Sequence, residues 1–209
     1  MEIFVKSFFI GLSIAAPVGP IGLLCIQRSL LGGWRIGFAT GLGAATADGM
    51  YGLIGALGVS VLITSLTSAG PWLSLLGGAF LCYLGIKTMR SSPLSANATV
   101  RAAGMARSYW STFLLTASNP MTILSFIAIF AALGAGVASA DRTHQLVALI
   151  VSGVFIGSAT WWLALSGSIS LIRERISKST MTIINYASGC TILGFGLYQS
   201  YLGALALSS

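Results

Sequence analysis

The chain has 209 residues, of which 7% are charged and 56% are hydrophobic, and its mean hydropathy is +0.91. Soluble domains carry about 25% charged residues, so this composition excludes a cytosolic enzyme and a disordered chain. The formal net charge of +7 does not indicate nucleic-acid binding, because the basic residues form no dense patch with interleaved aromatic residues.

The few charged residues lie in clusters separated by long apolar segments. A transmembrane helix needs about 20 apolar residues, and four of these segments fit one span each. The longest segment, 36–86, contains only Asp48 and is divided by the turn-like stretch Thr64–Pro71. We therefore predict an all-α polytopic membrane protein with six transmembrane helices, at approximately 4–26, 37–63, 69–87, 111–136, 145–168 and 183–204.

The first apolar segment has two features of a signal peptide, namely Lys6 and the small residues around Ala15. The apolar core of a signal peptide is about 7–15 residues long, whereas this segment continues past Pro20 to Ile26. We therefore predict that it is retained as a span.

The basic residues are distributed unequally between the two sides of the predicted bundle. Lys6 and Arg142 fall on one side, and the other nine fall on the opposite side. The positive-inside rule assigns the larger group to the cytoplasm, which places both termini outside. The nine are Arg28, Arg35, Lys87, Arg90, Arg101, Arg107, Arg173, Arg175 and Lys178.

The two halves of the chain share features in the same order. An odd number of spans in each half would insert the second half in the opposite orientation, as in inverted-repeat transporters. We therefore predict two inverted three-helix repeats with broken helices, 1–87 and 111–209, joined by a cytoplasmic linker, 88–110; a chance match of small residues is the alternative. The matched features are the breaks at 16–20 and 118–120, the small-residue runs 43–48 and 157–162, and the glycine pairs Gly78/Gly85 and Gly189/Gly196.

The first candidate site is the helix break at Pro17-Val18-Gly19-Pro20. Two prolines and a glycine in four residues interrupt a helix, and backbone groups released within a membrane must find partners or line a polar cavity. The amides of Ile21 and Gly22 begin the next helix without intrahelical acceptors, so they can bind an anion such as a carboxylate. The alternative is a proline kink that only shapes packing.

The second candidate site is Asn119-Pro120. Asn is a good N-cap and Pro suits the first helical turn, so a second half-helix can begin here and face the first. An ordinary capped helix start at the membrane surface is the alternative, and the sequence does not decide between the two depths.

The third candidate site is Asp48, the only acidic residue far inside a predicted span. An aspartate at the centre of a transmembrane helix costs about 2.5–3.5 kcal/mol on insertion scales, so it should face the bundle interior. Burial disfavours the charged form, which suits a proton carrier. The alternative is a structural Asp, hydrogen-bonded to Tyr51 or to a hydroxyl of a neighbouring span.

The stretch Gly11–Gly58, with its AAPVGP and GLGAATAD motifs, and the later SNPMTILSF at Ser118–Phe126 resemble the lysine-exporter (LysE/RhtB-type) translocator family. The resemblance covers nearly the whole chain. It implies a dimeric, multi-pass exporter of amino acids or their derivatives in the bacterial inner membrane, driven by the proton gradient. Carried over by motif position, the site residues are Pro17, Gly19, Pro20, Ile21, Gly22, Asp48, Asn119 and Pro120.

The chain departs from the pattern of family members that handle basic amino acids, threonine or homoserine. Those members usually place Asn or Gln-Asn after the Gly-Pro, where this chain has Ile21 and Gly22, and a lysine often follows the second Asn-Pro, where this chain has Met121. Both changes remove polar groups near the expected site. The substrate of this chain is therefore not inferred from those family members.

Other function classes fit less well. An aspartyl intramembrane protease needs two catalytic carboxylates, and only Asp48 lies inside a span; the only histidine, His144, lies in a loop. Cys25, Cys82 and Cys190 share no motif and are interpreted as small buried hydrophobic residues, so we expect no metal and no cofactor. A carrier of another small solute or metal ion and a membrane assembly protein remain the alternatives.

Overall fold

The computed structural model describes residues 1–17, 19–57, 60–90, 93–119, 122–126, 144–172 and 178–208. Within these ranges all of the regular structure is helical, which confirms the all-α prediction. In chain order the helices are α1 (Glu2–Ala15), α2 (Pro20–Gly32), α3 (Trp34–Leu57), α4 (Ser60–Arg90), α5 (Pro93–Ala117), α6 (122–126), α7 (His144–Ile172) and α8 (Lys178–Ser208).

Three of the described helices are long and apolar enough to cross a membrane: α7, the Ala69–Arg90 part of α4 and the Thr182–Ser208 part of α8. The pair α1 and α2 passes the same test together, with an angle of 80° between the two helices, as in a broken span or a re-entrant loop. Helix α3 does not pass, because its glycines and Asp48 lower its hydropathy. Most of its residues are buried. The fourth predicted span, 111–136, lies partly outside the described residues.

The turn predicted at Thr64–Pro71 is wrong. Helix α4 begins at Ser60 and continues through this stretch, with Pro71 inside the helix. Proline removes one backbone donor, but a turn would leave more backbone groups without partners in an apolar environment. In the described residues, α3 ends at Leu57 and α4 begins at Ser60, so the boundary between the two helices comes earlier than the sequence suggested.

The predicted linker, 88–110, contains the end of α4 and the first part of α5. Within α5, Gly104 has φ 69° and ψ 177°, a left-handed φ that favours glycine and kinks the helix. The residues after this kink, up to Ala117, pack against α3 and α2.

Arg28 was expected in a loop, but it lies inside α2. Its guanidinium donates hydrogen bonds to α5, at 3.0 Å to Ser108 O, 3.0 Å to Thr112 Oγ1 and 2.9 Å to Ser111 Oγ. The nine basic residues used to predict orientation therefore include one that joins two helices. Neutral oxygens satisfy this charge because Ser and Thr recur on one face of α5.

Helices α4 and α8 pack through the glycine pairs that the sequence had matched. A Cβ added to Gly78 would lie 2.8 Å from Gly196 O, and one added to Gly85 would lie 2.8 Å from Gly189 O. The sequence matches Gly78 with Gly189 and Gly85 with Gly196. Replacing each glycine by its match converts the Gly78–Gly196 contact into the Gly189–Gly85 contact. Small residues permit such close approach of two backbones.

The same correspondence relates the packing of α1 on α7 to that of α5 on α3. The Cβ position of Gly157 meets the backbone of α1 at Phe8 and Leu12. The Cβ position of Gly43, the residue matched to Gly157, meets the backbone of α5 at Tyr109 and Phe113. Gly43 of α3 and Gly157 of α7 therefore make matching contacts within the chain.

The prediction that the three cysteines are buried is confirmed for only some of them. Cys25 is fully buried and donates its Sγ–H to Gly37 O at 3.4 Å. Cys82 is half-buried and Cys190 is exposed, so the expectation that all three are buried is wrong for Cys190. An apolar position on a membrane helix can be satisfied by lipid as well as by protein.

Candidate functional site

A cavity of about 780 Å³ lies where the α1–α2 break meets the α5–α6 break. Most of its surface is apolar, and its size falls in the range of small-molecule binding sites. Every predicted site residue that the structure describes lines it, and Pro120 lies outside the described residues. The predicted residues that line the cavity are Pro17, Gly19, Pro20, Ile21, Gly22, Asp48 and Asn119.

The first break exposes the amino end of α2 to this cavity. Gly19 is the N-cap in an extended conformation, Pro20 begins the helix, and no side chain caps it. The Leu23 amide bonds to Gly19 O at 3.0 Å, so the amides that precede it, those of Ile21 and Gly22, lie at the uncapped turn. Together with the helix dipole, such amides favour an anionic group.

The second break presents Asn119 to the same cavity. Helix α5 ends at Ala117, and the Asn119 carbonyl accepts the amides of Thr122 at 3.1 Å and Ile123 at 3.2 Å. Asn119 therefore begins α6 as its N-cap, as the sequence predicted. Asn119 and Asp48 line the same cavity.

Asp48 lies in the middle of α3 and is 3% exposed. Ser158 Oγ of α7 donates to Asp48 Oδ2 at 2.7 Å, and Trp162 Nε1 donates to Ser158 Oγ at 3.1 Å. Among the described residues, no basic side chain forms a salt bridge with this carboxyl group. The acid is therefore held at the edge of the cavity by one neutral donor, the Ser158 hydroxyl, which Trp162 orients.

Small residues allow α3 and α7 to approach closely enough for this contact. Ala44 lies one turn before Asp48 and is almost fully buried, and the Cβ position of Gly41 meets the Trp162 side chain. The Trp162 side chain also lines the cavity.

Tyr51 is not the partner of Asp48. Its hydroxyl donates to the Ala117 carbonyl at the end of α5, and its ring lies 5.6 Å from that of Phe126. Tyr51 therefore joins α3 to the second break, one turn away from the acid. Of the two structural alternatives for Asp48, a hydroxyl of a neighbouring helix is the one that the structure contains.

Sequence analysis missed three polar contributors to the site: Ser158, Thr116 and Gln199. Thr116 and Gln199 line the cavity, and Thr116 Oγ1 and Gln199 Nε2 are buried without a hydrogen-bond partner in the described part of the chain. Buried polar atoms are normally paired, so unpaired atoms on a cavity wall mark places for a ligand or water. The period of four in Ser108, Thr112 and Thr116 could have indicated the polar face of α5.

Comparisons with known proteins identify relatives over nearly the whole chain. The model of the family "LysE type translocator" matches residues 12–203. The "Putative amino acid efflux protein YcgF" of Bacillus subtilis is 31% identical over 97% of both chains. The "Uncharacterized membrane protein YahN" of Escherichia coli is 30% identical over 85% of this chain and 80% of that protein. No solved structure matches this chain.

Proposed function

Because this chain belongs to the LysE type translocator family, we propose that it is a secondary transporter that exports amino acids or their derivatives from the cytoplasm by proton antiport. Its family consists of transporters, so the chain is not an enzyme. The observation that carries the proposal is a single cavity that contains an intramembrane acid and the open amino end of a helix.

The cavity offers a partner to each charged group of a zwitterion. Ile21 and Gly22 present backbone amides at the positive end of the α2 dipole, which suits a carboxylate. Asp48 supplies a carboxylate for the ammonium group, and carbonyls that end α1 near Ala15 add neutral acceptors. By analogy with the first break, we propose the helix start that follows Asn119-Pro120 as a second place for the substrate carboxylate.

Asp48 is also the proposed proton carrier. When Asp48 is deprotonated, its charge attracts the ammonium group; when it takes a proton from outside, that attraction is lost and the substrate is released. Ionisable residues inside membrane segments mark ion and proton pathways by default. The absence of a salt bridge to Asp48 among the described residues leaves its charge available to a ligand.

Alternating access would come from rocking of two inverted repeats around the cavity. The reciprocal contacts Gly78–Gly196 and Gly85–Gly189 support this arrangement, because a twofold that exchanges α4 with α8 converts one contact into the other. The contact of Gly43 in α3 with α5, and the matching contact of Gly157 in α7 with α1, support it independently. In this proposal the repeats are 1–87 and 111–209.

We further propose an inner-membrane location with both termini outside, on the basis of the basic residues in the predicted cytoplasmic loops. A reporter that is active only outside the cytoplasm, fused after Ser209, should be active, whereas a reporter that folds only in the cytoplasm should not. The homodimer implied by the family resemblance is tested by the mass of the purified protein in detergent.

The transport proposal is tested with the full chain in proteoliposomes loaded with a panel of labelled amino acids. An inward proton gradient should accelerate efflux of at least one of them, and a protonophore should remove the acceleration. Empty liposomes and liposomes with heat-inactivated protein are the controls. Efflux that is protein-dependent but unaffected by the gradient would contradict antiport, and no protein-dependent efflux of any amino acid would contradict amino-acid export.

A further inference from the structure

We propose that the substrate is a zwitterionic amino acid with an uncharged, apolar side chain, of the size of leucine, methionine or phenylalanine. This inference rests on the proposed transport function and narrows its substrate class. It comes from the charges and the surfaces that line the cavity.

Among the described residues, the cavity lining contains one carboxyl side chain, that of Asp48, and no lysine, arginine or histidine. Arg28, a partly buried cation of α2, is absent from the lining. Its guanidinium donates to two hydroxyls and a carbonyl of α5 and to Thr40. Asp48 and the α2 amides account for the two charges of a zwitterion. A third charge on the substrate side chain would have no described partner of opposite sign.

An unpaired charge in a mostly apolar site is costly, because the ion gives up its hydration without gaining a partner of opposite charge. The side chains of lysine, arginine, aspartate and glutamate would carry this cost. A side chain without charge avoids it, so the cavity discriminates against charged side chains by leaving them unpaired.

The walls of the cavity favour an apolar group over a small polar one. Most of the cavity surface is apolar. Phe195 of α8 is 40% exposed and Leu202 is 39% exposed, so both have apolar surface left to bury. Covering that surface with an apolar substrate side chain is favourable. The apolar lining includes Ile14, Ile21, Ile123, Leu124, Phe195 and Leu202.

The unpaired polar atoms in the lining belong to neutral groups. Thr116 is 2% exposed, and its Oγ1 and the Gln199 Nε2 are buried without partners in the described part of the chain. A Cβ added to Gly77 would lie 3.0 Å from Gln199 Nε2 and 3.4 Å from Ser118 O, so this amide lies beside the second break. These groups can hydrogen-bond the backbone end of an amino acid, and they do not balance a side-chain charge.

The test measures substrate preference with the full chain in proteoliposomes. At equal concentrations, leucine, methionine and phenylalanine should leave at least about tenfold faster than lysine, glutamate and serine, which corresponds to about 1.4 kcal/mol of discrimination. Faster or equal transport of the charged or small polar amino acids would overturn the inference and leave export intact. Transport of no amino acid would overturn the proposed function as well.

A first variant tests whether the cavity wall produces the preference for apolar side chains. Phe195→Ala should raise the KM for leucine several-fold, whereas Leu197→Ala, on the same helix but outside the cavity lining, should not. Equal effects of both variants would contradict the role of the apolar wall.

A second variant adds a negative charge that could pair with the side chain of a lysine substrate. Gln199→Glu introduces a second carboxylate with little change in volume, so it should raise lysine transport relative to leucine at least about tenfold. An unchanged ratio of lysine to leucine transport, in a variant that still transports leucine, would overturn the inference.

Discussion

Ser158 in α7 donates a hydrogen bond to Asp48 in α3 at 2.7 Å, and the two residues lie 110 positions apart in the chain. The contact joins the central helix of the first proposed repeat to that of the second. Trp162 Nε1 occupies the other side of the Ser158 hydroxyl, which fixes the direction in which this hydroxyl donates. The carboxyl group at the cavity is thus oriented by a helix of the opposite half.

Replacing Ser158 tests this orientation. Ser158→Ala removes a donor to a group that carries charge in part of the cycle, and such hydrogen bonds contribute about 1.5–3 kcal/mol. We expect transport to fall roughly 10- to 100-fold with normal membrane insertion, measured as efflux per molecule of reconstituted protein. Ser158→Cys, which keeps a weak donor, should give an intermediate rate. Equal rates for wild type and Ser158→Ala would contradict a positioning role.

Gly157 tests the packing of α1 on α7. A Cβ at this position would collide with the backbone of Phe8, whereas a Cβ at Gly167, in the same helix, meets open space. Overpacking typically costs about 1–3 kcal/mol, so Gly157→Ala should lower the thermal unfolding temperature in detergent by several degrees. Gly167→Ala should leave it unchanged or raise it slightly. The same unfolding temperature in both variants would show that the α1–α7 contact is looser than described.

Arg28 tests the connection between α2 and α5. Arg28→Gln cannot reach Ser108 O, Ser111 and Thr112 together, so unfolding should become easier by roughly 1.5–3 kcal/mol. Arg35→Gln is the matched control, because Arg35 is exposed and contacts the Trp34 ring at 5.7 Å. We expect that control to stay within about 0.5 kcal/mol of wild type. Denaturant unfolding in detergent measures both, and an equally stable Arg28→Gln would contradict the inferred connection.

Gly22 tests the amino end of α2 as part of the substrate path. Gly22→Leu adds bulk beside the uncapped amides that line the cavity, so transport should fall to background while expression stays normal. Gly194→Leu is the control, because Gly194 is exposed on α8 and its Cβ position meets open space. Normal efflux by Gly22→Leu would remove the anion site from the account.

Sequence patterns predicted the elements that depend on local chemistry. The interruption at Pro17–Pro20 follows from proline lacking a backbone donor, and the N-cap at Asn119 follows from a side chain that suits a helix start. Asp48 was identifiable because a membrane segment rarely contains a carboxylate. All three depend on one or a few adjacent residues.

The sequence failed where a distant partner decides the structure. Thr64–Pro71 has turn chemistry, yet it continues a helix because unpaired backbone groups are costly in an apolar environment. Arg28 was predicted to lie in a loop because its acceptors on α5 are 80 to 84 residues away in the sequence. Thr116 and Gln199 are identified as site residues by the structure, in which α5 and α8 line the same cavity.

The most direct test of the account is proton-coupled efflux by Asp48→Asn. Asparagine keeps an oxygen that can accept the Ser158 hydrogen bond but cannot carry the proton or the charge. Glu2→Gln is the matched control, because Glu2 is an exposed acid paired with Lys6 at 2.7 Å.

Both variants are reconstituted at equal density, and amino-acid efflux is measured with and without an inward proton gradient. The account predicts that the gradient accelerates efflux by wild type and Glu2→Gln and has no effect on Asp48→Asn. Gradient-stimulated efflux by Asp48→Asn equal to that of wild type would contradict the central claim that Asp48 couples protons to transport.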